Sequence, residues 1–385
     1  MDGSATGDSL RWRDAFADLP DPRTGPNVIH KLHDLIVLAI CGILCGADSW
    51  VEVEEWSEAR FEFYRTFLDL SGGVPSHDTF GRVFSRLDPD AFERCFIAWT
   101  VGVSAESGGR LVALDGKSLR RSFERAWDKS GMAHLVSAFA SANRMVLAQT
   151  ACVGKGHEIE AIVKLLGLID VKEAVVTIDA IGCQKRIAEI ITEKQGDYVL
   201  AVKENQPTLH AQVKHHLDEL VLEGFAGVEH GFVETHDDNH GRIETRRVWV
   251  TDQVQSLSCR DEWAGLSSVA VVESVRQDLG DLSGKVTKER RYFISSLKGC
   301  DARRMGLAVR GHWGIENSLH WVLDVTFRED ERRIRKGHGA ENFSRLCRVA
   351  LNQLKKETSK KGRSIRVKRK LAGWSNDYLL RLLTL

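Results

Sequence analysis

The chain has 385 residues, 43% hydrophobic and 28% charged, with 54 Lys and Arg against 54 Asp and Glu. These values are those of a soluble globular protein with a real core, long enough for about two or three domains. A formal net charge of zero excludes a globally basic nucleic-acid binder, so any such contact must rest on local clusters.

Residues 1–28 are polar, contain Pro20, Pro22 and Pro26, and read as a flexible arm. Residues 29–105 carry helical spacing. His33 to Cys45 is apolar nearly all round and predicts a core helix. Its longest apolar run, Leu35 to Cys45, is too short to span a bilayer, so no membrane contact is expected. Trp50 to Leu68 continues at helical spacing. A third helix starts after Pro75 with Ser76 as N-cap, and sets Thr79, Arg82, Ser85 and Arg86 opposite Phe80, Val83, Phe84 and Leu87. Pro89 opens a fourth, with Phe92, Phe96 and Trp99 inward. Two readings fit these helices: a helix-turn-helix-like DNA reader using Arg82, or a plain helical packing domain.

After the Gly/Ser-rich stretch Ser104 to Gly109 the period becomes that of strands. The predicted order is strand Gly109 to Leu114, hairpin His134 to Ala140 and Met145 to Val153, helix Glu158 to Leu168, strand Glu173 to Ile178, helix Gln184 to Lys194, and strand Asp197 to Val202. That order predicts an α/β mixed sheet with helices on its faces. Residues 207–299 break the rhythm and read as a β-rich insertion, begun by a charged helix and including the turn-rich Gly280 to Gly284. A last core helix is predicted from Arg303 to about Val325. Residues 106–206 plus 300–350 would form the core, and residues 351–385 a basic tail. Between Lys355 and Lys370 that tail holds nine Lys or Arg against Glu357, either a solvated linker or a set of phosphate contacts. The eight Cys are scattered without zinc spacing, and no signal peptide is visible, so reduced thiols and a cytoplasmic location are expected.

Two aspartates close apolar strands: Asp115 after Leu111-Val112-Ala113-Leu114, and Asp179 after Val175-Val176-Thr177-Ile178. Carboxylates at the ends of buried strands are poorly explained by packing, because ionised Asp is rarely buried unless paired or bound to metal. Glu316, on the last predicted helix, is a third candidate. An all-oxygen set favours Mg²⁺, with Mn²⁺ able to substitute, acting on phosphate esters. His312, Glu316 and His320 fall at i, i+4 and i+8, which also admits a zinc reading, though the spacing differs from H-E-x-x-H. Lys117, Arg120 and Arg121 follow the first Asp; they would bind a DNA backbone or form a solvated basic helix start. Lys203 and Asn205 suit substrate positioning or a polar loop. Arg242 and Arg246 share one side of a strand, for phosphate contact or cross-strand ion pairs.

Several long motifs in one order carry a resemblance: Leu38 to Trp50, Pro75 to Phe84, Ala113-Leu114-Asp115-Gly116-Lys117-Ser118-Leu119-Arg120-Arg121-Ser122, Thr177 to Gln184, His240 to Arg247, and Arg310-Gly311-His312-Trp313-Gly314-Ile315-Glu316-Asn317-Ser318-Leu319-His320-Trp321. The chain resembles the bacterial DDE transposases of ISAs-type insertion sequences, the H-repeat-associated proteins. The resemblance implies a ribonuclease H-like catalytic core with a β insertion before the helix bearing the Glu, and Asp115, Asp179 and Glu316 as catalytic and metal-binding triad. It implies double-stranded DNA partners, the element's terminal repeats and target DNA, and a homodimer or higher assembly on DNA. The implied activity is metal-dependent cleavage at element ends with strand transfer; a nuclease that only cuts, or a DNA-binding relic, are the alternatives. The wider superfamily places Tyr, Arg and Lys seven before, four before and seven after its Glu; here those slots hold Val309, His312 and Leu323. The basic role would pass to Arg310 or His312.

Overall fold

The structure is a computed structural model and describes residues 15–26, 28–104, 111–123, 132–152, 156–238, 241–278 and 286–385. In chain order the elements are α1 (Leu32–Cys45), α2 (Trp50–Ala59), α3 (Phe61–Tyr64), α4 (His77–Arg86), α5 (Pro89–Ser104), β1 (Leu111–Ser118), β2 (His134–Ala140), β3 (Met145–Cys152), α6 (Glu158–Leu168), β4 (Val175–Ile178), α7 (Lys185–Glu193), β5 (Asp197–Val202), α8 (Pro207–Leu222), β6 (Gly231–Asp237), β7 (Arg242–Thr251), β8 (Ser268–Asp278) and β9 (Val286–Ser295). They continue with α9 (Ala302–Ile315), a π turn (Glu316–His320), α10 (Trp321–Val325), α11 (Gly339–Lys356), α12 (Ile365–Trp374) and α13 (Asn376–Leu383). The chain divides into two compact units, one of residues up to 107, 116–157 and 316–385, the other of 108–115 and 158–315.

The second unit is built on strands in the order β1-β4-β5-β9-β8-β7-β6. β1, β4 and β5 run parallel, and their Val- and Ile-rich sequences suit strands covered on both faces. The crossover from β4 to β5 is made by α7, as parallel neighbours require. The predicted insertion is β-rich, and its strands join this same sheet: β9 lies antiparallel on β5, pairing Val199 with Ser295 and Val202 with Tyr292. Periodicity announces such strands but not the edge on which they dock. The predicted turn Gly280 to Gly284 lies outside the described residues. α9 covers one face, packing Ala302, Met305 and Ala308 against Val175, Val199, Val248 and Phe293.

The first unit holds the helical segment and the β2–β3 hairpin, whose turn at residues 141–144 is where the sequence placed it. In chain order, β1, β2 and β3 followed by helix-linked β4 and β5 reproduce the α/β element order that the sequence predicts. Nearly every residue of α1 is buried, and Gly46 ends it in the left-handed region at φ 118°. Among the described residues no single helix is long and apolar enough to cross a membrane. The predicted helix Trp50 to Leu68 breaks at Arg60 into α2 and α3. Trp50 stacks on Phe84 at 4.7 Å and meets Phe343 edge-on at 4.7 Å. The predicted loose arm is docked from Ala15 onward: Phe16 is buried against Phe92, and Arg23 holds Asp21 and the His30 carbonyl. Residues 1–14 lie outside the described residues.

The basic tail is not a tail. α11 extends through Lys356, and α12 and α13 pack behind it. Lys368 and Arg369 are buried, and Arg369 donates to the Ile43 carbonyl at 3.0 Å and to the Ala47 carbonyl, so it caps the turn that ends α1. Neither linker nor phosphate contact describes these two; Lys360, Lys361, Arg363 and Arg366 do remain exposed.

α11 is almost wholly buried, polar residues included. Arg345 bonds Glu93 at 2.6 Å and Glu341 at 3.0 Å, Arg348 bonds Glu329 at 2.9 Å, and Asn352 brackets the Val146 backbone with bonds of 3.0 and 2.8 Å. Glu93 also accepts the Gln149 amide. Such pairs are costly to break singly, because the survivor keeps its desolvation penalty. Arg345→Met is expected to cost about 3–5 kcal/mol in urea unfolding, and the double variant Arg345→Met with Glu93→Leu less than Arg345→Met alone.

Candidate active site

The parallel register fixes the two aspartates. Leu111 pairs with Val175 and Leu114 with Ile178, so the following residues, Asp115 and Asp179, stand side by side where β4 ends. Asp179 caps the short 3₁₀ turn Ala180–Gly182, its Oδ1 accepting the Ile181 amide at 3.2 Å. Gly182 allows that turn to close: a Cβ there would lie 2.2 Å from the Ile178 Cγ2. Asn205 donates to the Ala180 carbonyl at 2.6 Å, and Gln206 to the Cys183 carbonyl at 2.9 Å. The Asn205 amide is thus engaged in bracing the aspartate's turn, while Lys203 is exposed.

Burial holds the Asp179 carboxyl above the ordinary carboxylate range, and the neighbouring Asp115 charge pushes it further up. His312 and the Ile181 and Gly182 amides oppose that rise. His312, in the last turn of α9, brings its Nδ1 to 3.3 Å from the Thr177 Oγ1. Thr177 is buried, and a hydroxyl inside an otherwise aliphatic strand is the mark it leaves in the sequence. Arg310, the other candidate for the basic role, is paired with Asp237 at 2.7 Å. Arg246 bonds Asp237 and Glu244, which is the cross-strand pairing alternative; Arg242 is exposed.

In the first unit, the predicted helix through Val325 changes to π winding at Glu316, a feature often found at functional sites. Glu316 is exposed and His320 buried, with a carboxylate oxygen and a ring nitrogen within 4.8 Å. Lys355 braces this turn, donating to the Ser318 carbonyl at 2.9 Å from above the Phe139 ring. Burial brings the Lys355 ammonium down to about 7. Lys117 lies between Asp324 at 2.7 Å and Asp330 at 3.3 Å, and Arg120 meets Asp330 at 3.0 Å, so these two are engaged with carboxylates. Arg121 is exposed, and Arg82 folds back to the Asp78 carbonyl and Thr79 hydroxyl of its own helix.

Asp179 offers a direct test. With its folded-state value raised, it contributes stability that is full below about 3.8, the unfolded value, and lost as pH rises through the folded value. In EDTA at neutral pH, Asp179→Asn is expected to melt about 2 °C or more above the native protein, with the gap shrinking in acid. Equal melting temperatures at neutral pH would show that the paired charges carry no strain.

Residues 13–100 match the DDE_Tnp_1-associated family and residues 106–353 the transposase DDE domain family. The chain is 40% identical over 361 residues to "Putative transposase YncI" of Escherichia coli O157:H7, covering 93% of this chain and 91% of that protein. It is 36% identical over 366 residues to "H repeat-associated putative transposase YhhI" of Escherichia coli strain K12, covering 95% of each. A piggyBac transposase synaptic complex with hairpin DNA is a more distant structural match, at 12% identity and a TM-score of 0.41, covering 96% of this chain and 77% of that one. With a family domain spanning most of its length and full-length relatives, this chain belongs to the DDE transposases, in the H-repeat-associated, ISAs-type branch.

Proposed function

We propose that this transposase cuts the phosphodiester at the ends of its insertion sequence and joins the freed 3′-OH to target DNA, using Asp115, Asp179 and Glu316 to hold Mg²⁺ or Mn²⁺. The observation that carries the reading is the in-register pair Asp115 and Asp179; desolvation first, and then the Asp115 charge, hold the Asp179 carboxyl high. A pair of like charges this close, partly desolvated by the surrounding strands, is what a divalent cation relieves, and hard carboxylate oxygens suit these ions. Glu316 follows α9 directly in the chain and supplies the third carboxylate.

A bound divalent ion would supply positive charge for the attacking and leaving oxygens of an in-line displacement. The chain's own part is positioning. Asn205 and Gln206 clamp the turn that aims Asp179, Thr177 sets the His312 ring, and Lys355 braces the turn that begins at Glu316. His312, held by Thr177, would hydrogen-bond a phosphate oxygen or hand a proton to the departing 3′ oxygen. Joining two element ends to one target calls for at least a dimer on DNA.

Labelled duplex carrying the element's own end, incubated with Mg²⁺, tests this. The native protein is expected to cut at the end, and Asp115→Asn, Asp179→Asn and Glu316→Gln each to lose more than about 100-fold in rate. Cutting in EDTA, or undiminished cutting by Asp179→Asn, would overturn the assignment. Cutting without joining would mark a nuclease, and binding without cutting a DNA-binding relic.

A further inference from the structure

We propose that the C-terminal half of α4 and the loop of residues 332–338 form one cationic ridge that grips the sugar-phosphate backbone of duplex DNA. The loop reads Arg332-Arg333-Ile334-Arg335-Lys336-Gly337-His338. It lies directly on α4: the His338 amide donates to the Ser85 carbonyl at 3.0 Å. Gly337 makes that approach possible. Its φ is +50°, and a Cβ would stand 2.4 Å from the Ser85 oxygen, which is backbone and has nowhere to go. Asn342 fixes the same end of α4 from the other side, donating to the Phe84 and Leu87 carbonyls at 2.9 and 3.0 Å.

The ridge extends further. Arg335 donates to the Arg121 carbonyl at 3.1 Å and stacks over Phe123 at 5.0 Å, tying the loop to the basic segment after β1. Not every cation here faces outward. Arg332 is turned onto Phe343 and Asp48, Arg120 is held by Asp330, and Arg328 pairs with Glu331. Arg86, Arg333 and Lys336 are exposed, and among the described residues no carboxylate pairs with them. Arg82 and Arg86 also line a cleft of about 470 Å³ with Arg23 and His30. Cations held on a rigid frame without carboxylate partners, in a chain of zero net charge, match a polyanion, and counterion release would drive its binding.

This inference rests on the transposase reading, and the experiment separates the two. Full-length protein carrying Asp115→Asn is titrated against a labelled duplex bearing the element end, across a range of salt. Adding Arg333→Glu with Lys336→Glu is expected to weaken binding about tenfold or more and to flatten the salt slope by about two. Arg86→Ala is expected to flatten it by about one, and the charge-conserving pair Arg333→Lys with Lys336→Arg to bind like the parent. If the reversed pair melts like the parent and binds with the same Kd and salt slope, the ridge is overturned while the transposase reading stands. If the parent itself binds no DNA, the transposase reading falls and the ridge with it.

Discussion

The candidate site depends on the register in which β1 meets β4. Each strand places Asp after its aliphatic run, and pairing Leu114 with Ile178 makes those two Asp neighbours. A slip of one residue would exchange the side chains packed on the two covered faces and put Asp115 out of step with Asp179. Val112, Leu114, Val176 and Ile178 are all buried, so burial of the core and alignment of the carboxylates are one constraint. The repulsion between the acids is imposed by packing that is favourable everywhere else. Local strain of this kind is tolerated at a site because the surrounding structure over-determines it.

In the first unit, buried charge does the equivalent work. α11 threads two arginines, two asparagines and a glutamate through an apolar interior, and Arg345 and Arg348 are fully buried. Hydrophobic packing alone leaves rotations and slides of a helix nearly degenerate. Bidirectional bonds such as that of Asn352 to the Val146 backbone admit one placement only. The same logic applies where Arg369 meets the end of α1.

Much of this was legible beforehand. The core elements from β2 to β5 fall close to where strand and helix periods placed them, because aliphatic runs bounded by turn residues are strong local signals, whereas β1 runs past its expected end at Leu114, through Asp115, to Ser118. The Ser76 cap and the turn at residues 141–144 were likewise local. What escaped depends on tertiary partners. Lys368 and Arg369 look like solvated charge until the carbonyls of α1 and α11 are seen beneath them. Arg310 looks like a phosphate ligand until Asp237, 73 residues earlier, is found beside it and shared with Arg246. The change to π winding at Glu316 leaves no mark in composition. The basic 332–338 loop was visible as letters, but its seat on α4 rests on a glycine contact that only coordinates reveal.

The seating of β9 along β5 reaches beyond catalysis. Without β6 to β9, β5 would end the sheet as a bare row of amides and carbonyls, an open template for pairing with another molecule. The inserted segment is therefore also the core's seal. Internal deletions that trim the chain toward a minimal nuclease-sized core would uncover that edge, and such shortened copies would be lost to aggregation before their chemistry was ever tested by selection.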